Sequence, residues 1–138
     1  MSFVVDNSVA LAWCFEDEQS PPVMDLLDLV TESGAVAPQL WPIEALNGLL
    51  TAERRGRIDA ERRRRLAGFL YDLPIVIDDE TASRLWRATA DLAERHRLTA
   101  YDATYLELAI RLGLPLATND VDLAAAAQRS GVHLLPTS

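Results

Sequence analysis

The sequence predicts an α/β fold in which helices cover both faces of a central parallel sheet, and three observations support this prediction. Short runs of β-branched and apolar residues alternate along the chain with longer stretches of helical periodicity. Glycine and proline stand where one pattern gives way to the other. The 138 residues, 49% of them hydrophobic, suit one compact core, so residues 1–138 are expected to form a single domain.

The predicted strands are the short apolar runs at residues 3–5, 35–37, 74–77, 115–117 and 133–135. The predicted helices lie between them, at residues 8–15, 22–32, 40–55, 59–71, 80–95, 100–111 and 121–129. Ser20, followed by two prolines, favours a helix start, and Gly34 and Gly131 stand where helices are expected to end. Gly113 and Pro115 divide a helix from the strand that follows it.

Composition excludes several classes of protein. Within these residues no basic segment leads into an apolar run and no apolar stretch approaches the ~20 residues that span a bilayer, so we expect a cytoplasmic protein without membrane contact. The single cysteine, Cys14, lies among apolar residues, which indicates a buried thiol and no internal disulfide. His96 and His133 belong to no zinc-spacing motif.

The formal net charge of −8 argues against a nucleic-acid partner, because binding to phosphates depends mainly on cationic side chains. However, the 13 basic residues are all arginine, and seven of them lie between residues 54 and 65. Such a run is able to hold phosphates bidentately, and it is equally typical of a solvated helical hairpin balanced by Asp59 and Glu61. The sequence leaves these two interpretations open.

Two acidic residues follow predicted strands directly. Asp6 comes after the apolar run of residues 3–5, and Asp120 comes shortly after the strand that ends at Ala117. In an open α/β sheet, the carboxyl ends of the strands form the edge where ligands bind. Each residue taken alone is also a common helix cap.

Two further acids lie on predicted helices. Glu44 shares a helix face with Leu40 and Trp41, and a carboxylate on an apolar face must be paired, protonated or bound to metal. Asp102 begins a helix, where it alternatively forms a capping pair with Thr99.

Four carboxylates that face one sheet edge repel one another and so require a cation. Hard divalent ions such as Mg²⁺ or Mn²⁺ take oxygen ligands and bind through a few carboxylates together with substrate phosphates. Asp6, Glu44, Asp102 and Asp120 are therefore the predicted metal ligands. Transfer of a phosphoryl group to Asp6 is a rival interpretation, but the chain has no lysine to hold the phosphate. A non-catalytic binding module is the second rival.

The runs VVDNSV, IEALNGL, TAYDATYLELA and LATNDVDL, in this order and spacing, resemble the PIN domain, and specifically VapC-type toxins of bacterial toxin–antitoxin pairs. The resemblance implies a three-layer α/β/α fold and an endoribonuclease that depends on Mg²⁺ or Mn²⁺. It also implies that Asp6 and Asp102 are the principal metal ligands and that Glu44 and Asp120 are the other two acids of a catalytic cluster.

The resemblance extends to neighbouring positions and to partners. Ser8, Asn47 and Thr118 match polar positions of the family and are predicted to contact substrate, while Asp122 is an additional nearby acid without an assigned role. The expected partners are an RNA substrate, a VapB-type antitoxin and a second copy of the chain. Apolar residues on one predicted helix, Trp41, Leu46, Leu49 and Leu50, are compatible with a partner groove and equally with the core of the monomer.

Overall fold

A four-stranded parallel sheet forms the centre of the molecule. The computed structural model describes residues 2–138. Its strands are β1 (Val4–Val5), β2 (Ala35–Pro38), β3 (Ile75–Asp78) and β4 (Leu116–Ala117). Their order across the sheet is β3-β2-β1-β4, and every pair is parallel.

The helices are α1 (Asn7–Ala12), α2 (Pro21–Ser33), α3 (Leu40–Arg54), α4 (Ala60–Asp72), α5 (Thr81–Arg84), α6 (Ala90–His96), α7 (Ala100–Leu112) and α8 (Val121–Arg129). A π-helical turn, Leu85–Thr89, joins α5 to α6, and a 3₁₀ turn, Glu16–Glu18, follows α1. The helix predicted for residues 80–95 is thus interrupted by a π turn.

The helices form a layer on each side of the sheet. On one side α3 packs against β2, α1 and α4, and on the other α7 packs against β1, β2, α6 and α8. The core between these layers contains fully buried side chains such as Phe3, Val5, Leu49 and Leu106. The three-layer α/β/α prediction is confirmed.

The strand order creates a switch point between β1 and β4. The chain runs outward from β1 through β2 to β3 and then crosses to place β4 on the other side of β1. In open α/β sheets, the crevice at the carboxyl ends of the strands on either side of such a point is where ligands bind. The segments that leave β1 and β4 therefore form the expected ligand-binding edge of the sheet.

Two predicted elements differ from the structure. The predicted strand at residues 133–135 is reduced to a single parallel bridge between Leu116 and Leu134, because its neighbour β4 is only two residues long. The first helix ends at Ala12 and does not reach Phe15, and the indole N–H of Trp13 donates to the carbonyl of Val23.

Cys14 is buried as predicted, and burial raises the pKa of its thiol to about 11. Within residues 2–138, no helix combines the length and the apolar character that a membrane crossing requires.

Candidate metal centre

Asp6 lies at the switch point with its carboxylate almost completely enclosed. It follows β1, it caps the N-terminus of α1, and it is 4% exposed. Its Oδ1 accepts hydrogen bonds from the Ser8 hydroxyl at 2.6 Å and from the Val9 N–H at 3.2 Å, and its Oδ2 accepts from the Thr118 hydroxyl. Both interpretations of Asp6 thus hold together, because the same carboxylate caps a helix and stands at the ligand-binding edge.

Two hydroxyl groups connect the loops that follow β1 and β4. The Ser8 Oγ accepts from the Asn119 N–H at 2.9 Å while donating to Asp6, and the Thr118 Oγ1 accepts from the Asp120 N–H at 2.9 Å while donating to Asp6. Each hydroxyl hydrogen is therefore committed to the Asp6 carboxylate, and each hydroxyl oxygen accepts from a backbone N–H of the loop after β4. Contact of Ser8 and Thr118 with substrate stays a prediction.

Asp120 begins α8, just as Asp6 begins α1. Its Oδ1 accepts from the Leu123 N–H at 2.8 Å, which satisfies one of the free donors of the first helical turn. Asp122 follows within the same turn and is exposed. The second oxygen of Asp120 has no protein donor among the described hydrogen bonds.

Asp102 lies in the first turn of α7. The Thr99 hydroxyl oxygen accepts from the Asp102 N–H at 3.1 Å, so the expected capping contact is present on the backbone side. Among the described residues, no donor reaches the Asp102 carboxylate. Burial, reinforced by the negative charges of Asp120, Asp6, Glu44 and Asp122, raises the pKa of Asp102 to about 6.

This repulsion shows that the predicted acids share one electrostatic environment. Burial likewise raises the pKa of Asp6 to about 6, opposed by the hydrogen bonds from Ser8, Thr118 and Val9 and assisted by the charge of Asp120. Buried carboxylates with raised pKa values are typical of functional sites, because burial disfavours the ionised form.

Glu44 projects from α3 and is held by a buried side chain of α7. The Tyr105 hydroxyl donates to Glu44 Oε1 at 2.6 Å and joins α7 to α3. Burial raises the pKa of Glu44, and the Tyr105 hydrogen bond opposes that rise. Tyr105 is 2% exposed, and burial together with Glu44 raises the pKa of its phenol far above the ordinary value, so it stays a neutral donor.

Tyr105 is the site residue that sequence reasoning missed. The sequence indicates its role in one way only: Tyr105 lies one turn after Asp102 on the same helix. A buried tyrosine there needs a hydrogen-bond partner for its hydroxyl. Asn47 lies one turn beyond Glu44 on α3 and is exposed.

The four acids approach one another without converging tightly. Within residues 2–138, no three of them bring ligand oxygens within 4.8 Å of one another; the group that does so is Asp78, Asp79 and Glu80, after β3. Arg111 neutralises much of that group through contacts of 2.8 Å to Asp78 and 3.2 Å to Glu80. We therefore regard the cluster after β3 as an ion-pair network and the acids around Asp6 as the candidate metal centre.

The donor set around Asp6 fits a hard divalent cation. It offers carboxylate oxygens, and a hydrated Mg²⁺ that retains several waters does not require its ligands to touch one another. The next residue along the chain, Asn7, adds a buried side-chain oxygen with no hydrogen-bond donor among the described residues.

Comparison with known proteins agrees with this geometry. Residues 3–129 match the family described as PIN domain, which spans both acidic loops, α3 and α7. The chain belongs to the PIN domain family. Over 103 residues it is 39% identical to "Ribonuclease VapC1" of Mycobacterium tuberculosis, an alignment that covers 73% of this chain and 74% of that protein. The recognition of a VapC-type PIN domain is thus confirmed.

Solved structures share the fold at low sequence identity. FitAcB from Neisseria gonorrhoeae superposes with a TM-score of 0.69 at 17% identity, covering 99% of this chain and 98% of that one. VapBC2 from Rickettsia felis, solved bound to a DNA fragment from its promoter, superposes with a TM-score of 0.68 at 12% identity. The match covers 97% of this chain and 97% of that one. These matches support the architecture of this PIN domain.

Proposed function

We propose that this PIN domain is a divalent-cation-dependent endoribonuclease that hydrolyses RNA phosphodiester bonds at Asp6, Glu44, Asp102 and Asp120. The observation that carries the proposal is the position of Asp6 at the switch point, where Ser8 and Thr118 hold its buried carboxylate. Burial, reinforced by the charges of the other acids, raises the pKa of Asp102 to about 6. The relationship to a protein named as a ribonuclease supplies the substrate class.

Each acid has a distinct part in the proposal. Asp6 and Asp102 are the principal ligands of the cation, with Asp6 held in one orientation by Ser8 and Thr118. Glu44 has Oε1 committed to Tyr105, so Oε2 is the oxygen free to bind. A bound Mg²⁺ or Mn²⁺ would polarise the scissile phosphate and lower the pKa of an attacking water.

The test is cleavage of total RNA by purified protein in Mg²⁺, in Mn²⁺ and in EDTA. Discrete fragments are expected with wild type in either metal and not in EDTA. Asp6→Asn should abolish them, and Asp25→Asn, which changes an exposed carboxylate on α2, should leave them unchanged. Cleavage by wild type in EDTA would contradict the mechanism, and equal cleavage by Asp6→Asn and wild type would indicate a contaminating nuclease.

Metal binding is tested separately from cleavage. We expect Mn²⁺ to bind wild type and Asp25→Asn equally in a paramagnetic-resonance titration, and Asp6→Asn to bind it more weakly. This readout keeps the metal site testable even when the RNA that is cut has not been found.

We also propose that a VapB-type antitoxin inhibits the enzyme and occupies an apolar groove between α3, α4 and β3. The groove has a volume of about 350 Å³ and is lined by residues that include Leu46, Leu70 and Ile77. Leu46 is 46% exposed, whereas Trp41 and Leu49, which also line the groove, are buried in the core of the monomer. Large exposed apolar side chains such as Trp86, at 83% exposure, support a homodimer as well. Light scattering of the protein alone and co-purified with its antitoxin tests both associations.

A further inference from the structure

The helical hairpin formed by the end of α3 and the start of α4 concentrates positive charge in an acidic protein. Residues 51–66 carry seven arginines against three carboxylates, a net charge of +4, which leaves −12 on the remainder of the chain. The arginines are Arg54, Arg55, Arg57, Arg62, Arg63, Arg64 and Arg65. The sequence left open whether they are balanced within the protein, and the structure separates them into two groups.

Arg57 and Arg63 are balanced within the protein. Arg57 Nη2 lies 2.6 Å from Asp17 and 2.8 Å from Glu18, and its guanidinium stacks 3.9 Å from the centre of the Phe15 ring. Arg63 Nε lies 2.6 Å from Glu53, which joins α4 to α3. Arg57 thus joins the helical hairpin to the segment after α1, and Arg63 joins the two helices of the hairpin to each other.

The other five arginines are exposed, and among the described residues none has a carboxylate within 4.0 Å. They are Arg54, Arg55, Arg62, Arg64 and Arg65, which we call the arginine face. Each guanidinium offers a planar fork of donors that matches phosphate oxygens bidentately. Arg57 and Arg63 hold the hairpin in place, so the five free guanidinium groups project from a fixed backbone.

Part of the arginine face lies at the end of the helix that carries Glu44. Arg54 and Arg55 end α3, and Arg62, Arg64 and Arg65 lie on α4, which packs against α3. Glu44 lies near the start of α3 and Arg54 at its end, ten residues later, so about 15 Å of helix separates them. A stacked nucleic-acid strand rises ~3.4 Å per nucleotide, so about four nucleotides span that distance. A substrate strand cut at the acids is therefore long enough to reach the arginines.

We propose that the arginine face binds the phosphodiester backbone of the RNA substrate away from the cleavage point. This inference rests on the proposed ribonuclease function. An RNA strand that approaches the acids meets the −12 charge of the remaining chain, and uncompensated cations on the hairpin of α3 and α4 offset that repulsion. Contacts to phosphates position a strand without reading its sequence, so the arginine face contributes affinity and the region near the acids contributes specificity.

The test measures binding of a single-stranded RNA oligonucleotide by fluorescence anisotropy at several salt concentrations, in an Asp6→Asn background that does not cut. Arg62→Gln/Arg64→Gln/Arg65→Gln is compared with Arg87→Gln/Arg95→Gln/Arg97→Gln, a control that removes the same charge from exposed arginines elsewhere. Thermal unfolding of each variant confirms that it is folded.

Removal of three phosphate contacts should lower the slope of log affinity against log salt by about 2, and the affinity at ~0.1 M salt by about 10-fold to 100-fold. The control variant should keep the parent slope. Equal losses in both variants would overturn the proposal, because they would indicate a general effect of net charge. Unchanged RNA binding, together with binding of a poly-glutamate peptide that requires Arg62, Arg64 and Arg65, would overturn it in favour of an acidic protein partner.

Failure of the proposed function gives a different result from failure of this inference. If RNA is cleaved in Mg²⁺ but the arginine variant binds as tightly as its parent, the ribonuclease stands and the arginine face is not its RNA surface. If no variant binds RNA and wild type does not cleave it, both proposals fall.

Discussion

The hydroxyl of Tyr105 donates a 2.6 Å hydrogen bond to Glu44 Oε1, across 61 residues of sequence and between α7 and α3. The tyrosine is buried while the glutamate is half-buried, so the bond joins the core of the domain to the candidate metal centre. Groups that orient a ligand are as important to a metal centre as the ligand itself.

Tyr105→Phe keeps the ring and removes this bond, so it should weaken Mn²⁺ binding or cleavage by about 10-fold to 100-fold while costing only about 1 kcal/mol of stability. Tyr101→Phe is the matched control, because Tyr101 lies on the same helix with 60% of its surface exposed. The measurement is the metal concentration at half-maximal cleavage. Equal midpoints for the two variants would show that the bond does not position Glu44.

Asp6→Asn should stabilise the metal-free protein at pH 7. Burial raises the pKa of Asp6 from 3.8 to about 6, so the folded state binds more protons than the unfolded state between those values, and stability falls as pH rises through this window. At pH 7 the ionised Asp6 lowers the free energy of unfolding of the wild-type protein by up to about 3 kcal/mol. This loss disappears when the pH falls below the pKa that Asp6 has in the unfolded state. Thermal unfolding in EDTA at pH 7 and near pH 4 measures it, and a less stable variant at pH 7 would contradict the expectation.

Arg111→Met should destabilise the fold by about 3 kcal/mol or more, because it leaves buried carboxylates without their cation. Arg111 lies 2.8 Å from Asp78 and 2.7 Å from Glu107, and its side chain is 15% exposed. The hydrogen bonds from Arg111 lower the pKa of Asp78, so this stabilisation should be lost as pH falls through that lowered pKa.

Arg84→Met is the comparison for Arg111, because Arg84 pairs with exposed Glu80 and such pairs contribute at most about 1 kcal/mol. Urea unfolding of the two variants gives the difference in free energy. Similar losses would mean that the network around Arg111 is no stronger than a surface ion pair.

Gly48→Ala should cost at most about 1 kcal/mol, because the clash with the Leu11 side chain between α1 and α3 is partly offset by the higher helix propensity of alanine. A Cβ at residue 48 would lie 2.5 Å from Cδ1 of Leu11. Leu11→Ala should relieve the clash, so the double variant should lose less stability than the two single changes together. Additive losses in urea unfolding would exclude a direct contact between these positions.

Sequence patterns sufficed for the positions of Asp6 and Asp120. Parallel strands place their carboxyl ends at one edge of the sheet, so an acid that follows such a strand reaches that edge whatever the details of packing. The same reasoning predicted the helix-capping roles, and the structure shows that Asp6 and Asp120 cap helices while lining the candidate metal centre.

The periodicity of the sequence was less informative about single side chains on helices. Tyr105 fits the apolar face of α7, and only its hydroxyl, directed at Glu44, distinguishes it from a core residue. The seven arginines of residues 54–65 look equivalent in sequence. In the structure Arg57 and Arg63 form ion pairs within the protein, and the other five do not.

The sequence by itself determined the fold class, the order of the elements and the acids at the strand ends, because these depend on local periodicity and on the direction of parallel strands. Only the tertiary structure decided which hydroxyls hold Asp6, that Tyr105 holds Glu44, and which arginines remain uncompensated. These contacts join residues far apart in the chain, and short-range hydrogen bonds and ion pairs depend on ångström-scale packing that no pattern along the sequence encodes.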